Sequence, residues 1–133
     1  MNILVIDAQG GGIGRQLVAE LLRRMPSAEI TAVGTNSAAT AAMLKAGAHH
    51  AATGENAVVV GCRRADVIVG PIGIVIADSL WGEVTPKMAV AVGQSSAQRV
   101  LIPINHCDNR IAGLQDVTVG QLVVQAVDMI EGM

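Results

Sequence analysis

Six consecutive residues, Gln9-Gly10-Gly11-Gly12-Ile13-Gly14, follow directly on an acid, Asp7, and one alanine. Glycine has no side chain, so backbone N–H groups in such a run stand open to a close neighbour. At a helix N-terminus those donors have no partner within the helix, and the helix dipole adds positive potential, so an anion is the natural guest. The chemistry implied is the holding of a phosphate. Asp7 complicates it, because a carboxylate beside a phosphate is repelled unless N–H donors or a cation neutralise it. Three roles are open to Asp7: accepting the loop's own amides to shape the turn, bridging a phosphate through magnesium, or acting as a general base.

Other residues of this kind are scattered along the chain. Thr35-Asn36-Ser37 is polar and neutral, Glu55 lies in a Gly54-Glu55-Asn56 segment, and Gly70-Pro71-Ile72-Gly73 pairs two glycines with a proline. Asn105, His106 and Cys107 are adjacent, as are His49 and His50. Adjacent residues on an extended chain point to opposite faces, so neither pair ligates one ion well. The paired spacings of structural zinc are missing, and no metal site is expected. A thiol nucleophile at Cys107 with His106 or His49 as base is the covalent alternative.

Elements that must position these groups alternate regularly. Asn2 to Asp7 reads as a strand, and Gly12 to Met25 as a helix carrying Ile13, Leu17, Leu21 and Met25 on one stripe. A strand from Glu29 to Gly34 is followed by a helix that Ser37 can cap and Gly47 ends. A short strand lies in Ala48 to Ala52, and the Gly54 opening favours a helix up to Arg64 over a strand through Ala57 to Val60. Asp66 to Gly70 is the clearest strand, and Ile72 to Trp81 reads as helical. Thr85-Pro86 is a cap followed by a first-turn proline. A strand from Arg99 to Ile104, an edge strand from Arg110 to Leu114 and a helix opened by the capping-box spacing of Thr118 and Gln121 complete the chain.

This alternation predicts one α/β domain over residues 1–133, a Rossmann-like three-layer sandwich with a parallel sheet of five or six strands. In such sheets the ligand sits beyond the carboxyl ends of the strands, where the strand order reverses. That rule selects the segments already named. The expected ligand is a small phosphorylated molecule, a dinucleotide above all, with phosphate on Gln9, Gly10, Gly11, Gly12, Ile13 and Gly14. Thr35, Asn36 and Ser37 would meet the ribose, and Gly70, Pro71, Ile72 and Gly73 the middle of the ligand. An acid at the end of the second strand reads a free ribose 2′-hydroxyl; the neutral Thr35-Asn36-Ser37, with Arg15 near, leans toward NADP over NAD. If the chain catalyses, Asp7, Glu55 and Asn105 are the strand-end candidates. A sensor of a mononucleotide or phosphorylated metabolite, and an assembly protein whose glycine loop is structural, are the non-enzymatic alternatives.

Composition narrows the classes. Of 133 residues 51% are hydrophobic, yet Phe and Tyr are absent and Trp81 is the single Trp, so the core is aliphatic. Buried parallel strands read as such branched aliphatic runs. A net charge of -2 leaves no basic footprint for nucleic acid, and the missing rings remove base-stacking platforms. Two cysteines, Cys62 and Cys107, make no disulfide framework. The start lacks the basic region of a signal peptide, and Val67 to Ala77 is too short and broken to span a bilayer, so a cytoplasmic location is expected. High hydropathy for so small a chain points to a buried subunit interface and a homo-oligomer. Trp81 is expected as a core or interface anchor, and Lys87 as a surface lysine.

The glycine run fits G-x-G-x-x-G imperfectly, since its last position falls on Arg15. Its end, Gly12-Ile13-Gly14, resembles the G-x-x-x-G-I-G of short-chain dehydrogenases with Ala8 for the first glycine. Their catalytic Tyr-x-x-x-Lys is impossible in a chain without tyrosine. Over nearly its whole length the chain resembles a small bacterial family known only as a domain of unknown function. The segments that carry the likeness are Ile6 to Gly14, Gly34 to Ser37, Ala42 to Ala48, Ala52 to Asn56, Gly70 to Ala77 and Leu101 to Asn105. That resemblance implies a cytoplasmic Rossmann-like domain and no assigned catalytic residue. The three histidines fall outside its pattern.

Overall fold

The computed structural model describes residues 1–104 and 108–133. The elements run β1 (Asn2–Asp7), α1 (Gly12–Arg24), β2 (Glu29–Gly34), α2 (Ser37–Lys45), β3 (His50–Thr53), α3 (Glu55–Arg64) and β4 (Val67–Pro71). A single 3-10 turn (Ile72–Val75), α4 (Pro86–Gln94), β5 (Gln98–Ile102) and α5 (Val119–Glu131) follow. All four strand pairings are parallel, in the order β3-β2-β1-β4-β5. The order reverses beside β1: the chain moves outward through β2 and β3, then returns to β1's other side with β4. The crevice between the carboxyl ends of β1 and β4 is therefore the switch point of an open α/β sheet.

Side-chain alternation along β1 builds a core on each face. Ile3 and Val5 join one cluster with Leu17, Leu21, Met43 and Ile130, contributed by α1, α2 and α5. Leu4 and Ile6 join the other with Val58, Met88 and Val92, from α3 and α4. The layering is thus helix, sheet, helix. Asn2 pairs with Glu29 and Asp7 with Gly34, so β1 and β2 end level and their following loops lie side by side.

Three expectations about elements are corrected. Asn36, not Ser37, caps α2: its side-chain oxygen accepts from the Ala39 N–H at 2.9 Å. Ile72 to Trp81 does not form a helix beyond the 3-10 turn. Asp78, Leu80 and Trp81 there hold positive φ, which a right-handed helix does not allow. Arg110 to Leu114 forms no strand, so the sheet has five strands among the described residues. The capping box before α5 is present, Thr118 accepting from the Gln121 N–H and the Gln121 side chain accepting from the Thr118 N–H. No described helix is long and apolar enough to cross a membrane.

Candidate functional site

The four glycines after β1 divide into two pairs. Gly11 has φ 73° and a Cβ on it would lie 2.9 Å from both Cα and O of Ala39. A Cβ on Gly14 would meet the Met43 sulfur at 2.5 Å and the Asp7 Cβ at 2.8 Å. These two are demanded by the packing of α1 against α2 and β1. Gly10 and Gly12 are different: neither has positive φ, and a Cβ on either would meet nothing within 4 Å. Nothing inside the fold requires glycine at those positions. Their N–H groups have no acceptor among the described residues, whereas Gly11 donates to the Ala8 carbonyl at 3.0 Å.

Asp7 is buried, with 4% of its surface exposed, and both its oxygens are taken. Oδ1 accepts from the Ala8 N–H at 2.8 Å and Oδ2 from the Gly14 N–H at 2.6 Å. Gly11, left-handed at the N-cap, has no side chain to offer α1. Asp7 supplies the cap from the end of β1, and its charge suits the positive end of the helix. Burial raises its pKa above the usual carboxylate value, against the lowering effect of the amides of Gly14, Ala8 and Ile13; the charge of Glu83 adds a further upward push. Both oxygens thus hold N–H groups of the turn itself.

A second carboxylate closes the crevice. One oxygen of Glu83, Oε1, accepts from the Gln9 N–H at 2.9 Å, the Thr35 hydroxyl at 2.7 Å and the Asn36 side-chain amide at 2.6 Å. Asn36 also donates to the Gln9 carbonyl at 2.8 Å, tying the two loops together. Partial burial works against the charge of Glu83, but the donors from Gln9, Thr35 and Asn36 outweigh it and hold its pKa below the ordinary value. The space left among Asp7, Gly10, Gly12, Pro71 and Leu80 is a cavity of about 70 Å³, room for about two water molecules.

The remaining candidates are spread out. Ser37 is exposed at the start of α2. Pro71 lines the small cavity, while Gly70 and Gly73 are accounted for by the chain itself. A Cβ on Gly70 would collide with the Ile6 carbonyl oxygen, and one on Gly73 would sit 3.0 Å from the Ser79 hydroxyl oxygen. Glu55 opens α3 beyond β3, two strands from β1, and is not brought together with Asp7. Asn105, His106 and Cys107 lie outside the described residues. His49 and His50 sit at the amino end of β3, away from the crevice. His49 Nδ1 accepts from the Ile30 N–H at 3.0 Å and His50 pairs with Glu29 at 2.7 Å. Burial pushes the Cys62 thiol up to about 11, which leaves it unreactive. Trp81, expected as a core or interface anchor, is 95% exposed, which corrects the core alternative.

Residues 2–133 match the family described as a domain of unknown function, DUF3842. The chain belongs to that family. No curated protein matches it. Among solved structures it is similar to the dodecameric FMN-dependent UbiX-like decarboxylase from Escherichia coli O157:H7. That likeness has 20% identity and a TM-score of 0.49, over 98% of this chain and 76% of the other.

The site residue that sequence reasoning missed in this DUF3842 chain is Glu83. The end of β2 looked neutral, yet a carboxylate does stand there, delivered from 48 residues beyond Thr35. Its only local signal was its place in the connection that follows β4, beside the reversal of strand order. The neutral pocket that favoured NADP over NAD is therefore absent.

Proposed function

We propose that this protein binds a nucleotide at the crevice between β1 and β4, with a phosphate against the N–H groups of Gly10 and Gly12. The observation that carries the reading is the pair of glycines the fold does not need. Glycine near a helix start costs stability relative to alanine, by up to about 1 kcal/mol in an exposed helix interior. Two such residues with open space beside them and free amides suit close approach by a ligand. The parallel sheet reverses its order at the same place, where open α/β sheets take their ligands. The specific candidates are NAD and NADP, now without a preference between them, and the assembly is a homo-oligomer.

A rival reading has an observation of its own. Asp7 and Glu83 already take the amides of Ala8, Gly14 and Gln9, which suits a loop that is purely structural. A thermal-shift panel of NADP, NAD, ATP, coenzyme A, FMN and sugar phosphates separates the two, since a ligand that binds only the folded state raises its melting point. At a concentration about 100 times the dissociation constant the stabilisation is about 2.7 kcal/mol. A shift with a nucleotide that disappears in Gly12→Val supports the first reading. No shift across the panel gives the second.

A further inference from the structure

Three donors from two separate loops converge on a single oxygen of Glu83: a backbone N–H from Gln9, a hydroxyl from Thr35 and an amide from Asn36. Convergent donors of this kind are what an anionic oxygen of a ligand would require. The carboxylate reaches them from residues that lie over the crevice, and Leu80 of the same segment forms one wall of the 70 Å³ cavity. A cavity of about 760 Å³ beside it shares Gln9 and Leu80, so the competition between Glu83 and an anionic ligand is for these donors.

We propose that the Glu83 side chain is a resident stand-in for an anionic group of the ligand, occupying the crevice donors until the ligand takes them. The inference rests on the nucleotide reading above. Leu80 and Trp81 hold positive φ without being glycine, as does Asp78 before them. Backbone of this kind persists only where contacts over-determine it. On the stem of the segment those contacts are strong: the Ser79 hydroxyl donates to the Gly73 carbonyl at 2.5 Å, and Leu80 and Val84 are buried. At the tip, Trp81 and Gly82 stand in solvent; the Gly82 and Glu83 N–H groups donate to the carbonyls of Asp78 and Leu80, both at 3.2 Å, and keep the turn, while the Glu83 side chain ties it to the two loops. Release of the Glu83 side chain frees the donors and leaves the stem in place.

Isothermal titration of the full chain with NAD, NADP and ADP, on the wild type, Glu83→Gln and Glu83→Ala, tests this. Affinity rises by about tenfold in Glu83→Ala for at least one of the three, as expected for removal of a charge-assisted contact that the ligand must break. It rises less in Glu83→Gln, which keeps an acceptor oxygen and loses the charge; this variant also serves if the alanine variant does not fold. Binding by the wild type that is unchanged or weaker in the variants overturns the stand-in and leaves the nucleotide reading standing. Absence of binding by the wild type and by a folded Glu83 variant removes both.

Discussion

Two connections meet at the switch point, and each carries glycines and a carboxylate that bonds to backbone N–H groups of the first. After β1 the chain turns within four residues into α1, with Asp7 at its root. After β4 it wanders through a 3-10 turn and a run of left-handed residues before α4, with Glu83 near its end. In the first connection Gly11 and Gly14 serve packing, while Gly10 and Gly12 serve nothing internal. In the second, Gly70 and Gly73 both serve packing. Asp7 is turned inward to hold its own loop; Glu83 is sent across to hold a different one. A glycine beside a strand end thus points to a ligand only when the chain itself has no use for it.

The largest effect that would sharpen this contrast is at Gly70. Gly70→Ala drives a Cβ into the Ile6 carbonyl within the central strands, an overpacking cost of about 3 kcal/mol or more, read by urea denaturation. Asp7→Ala comes next. It leaves the buried N–H groups of Ala8 and Gly14 unpaired, at about 1–3 kcal/mol for each such group, again by denaturation midpoint. Gly12→Val should stay within about 1 kcal/mol of the wild type, since its side chain has open space, yet lose nucleotide binding. A Gly12→Val protein as unstable as Gly70→Ala would break the division between the two pairs of glycines.

The smallest effect separates the two carboxylates by pH. Carboxyl-carbon NMR should find Asp7 titrating above 3.8 and Glu83 below 4.5. The raised Asp7 value means that its contribution to stability is fully present below pH 3.8 and is lost as pH rises through its folded value. The depressed Glu83 value works the other way: its contribution is present above pH 4.5 and is lost as pH falls through its folded value. Titration of both groups in the same direction from their ordinary values would remove the distinction.

Strand, helix and layer were legible in the sequence because each is a local pattern: the aliphatic runs of β1 and β4, the stripe of α1, the capping box of Thr118 and Gln121. The glycine loop was legible for the same reason. The cap of α2 slipped by one residue because Asn36 and Ser37 are both good caps, and Asn36 alone can bridge to Gln9 while capping. The stretch from Ile72 to Trp81 misled because its apolar spacing suits a helix, whereas its residues fill the gap between β4 and α4. Glu83 was signalled only by its place after β4: its partners lie 47 and 48 residues earlier in Asn36 and Thr35, and local pattern does not register contacts at that range. The role of Asp7 was half legible, as one of three options, and its paired amides are what the turn-shaping option requires.

The exposed indole of Trp81 has a practical consequence. In a chain without phenylalanine or tyrosine, it is the one aromatic chromophore. Near-ultraviolet circular dichroism and intrinsic emission will therefore be almost blind to the aliphatic interior. They will report from a single point at the mouth of the crevice, so a ligand arriving there would announce itself optically while global melting, followed at the same wavelengths, would pass nearly unseen.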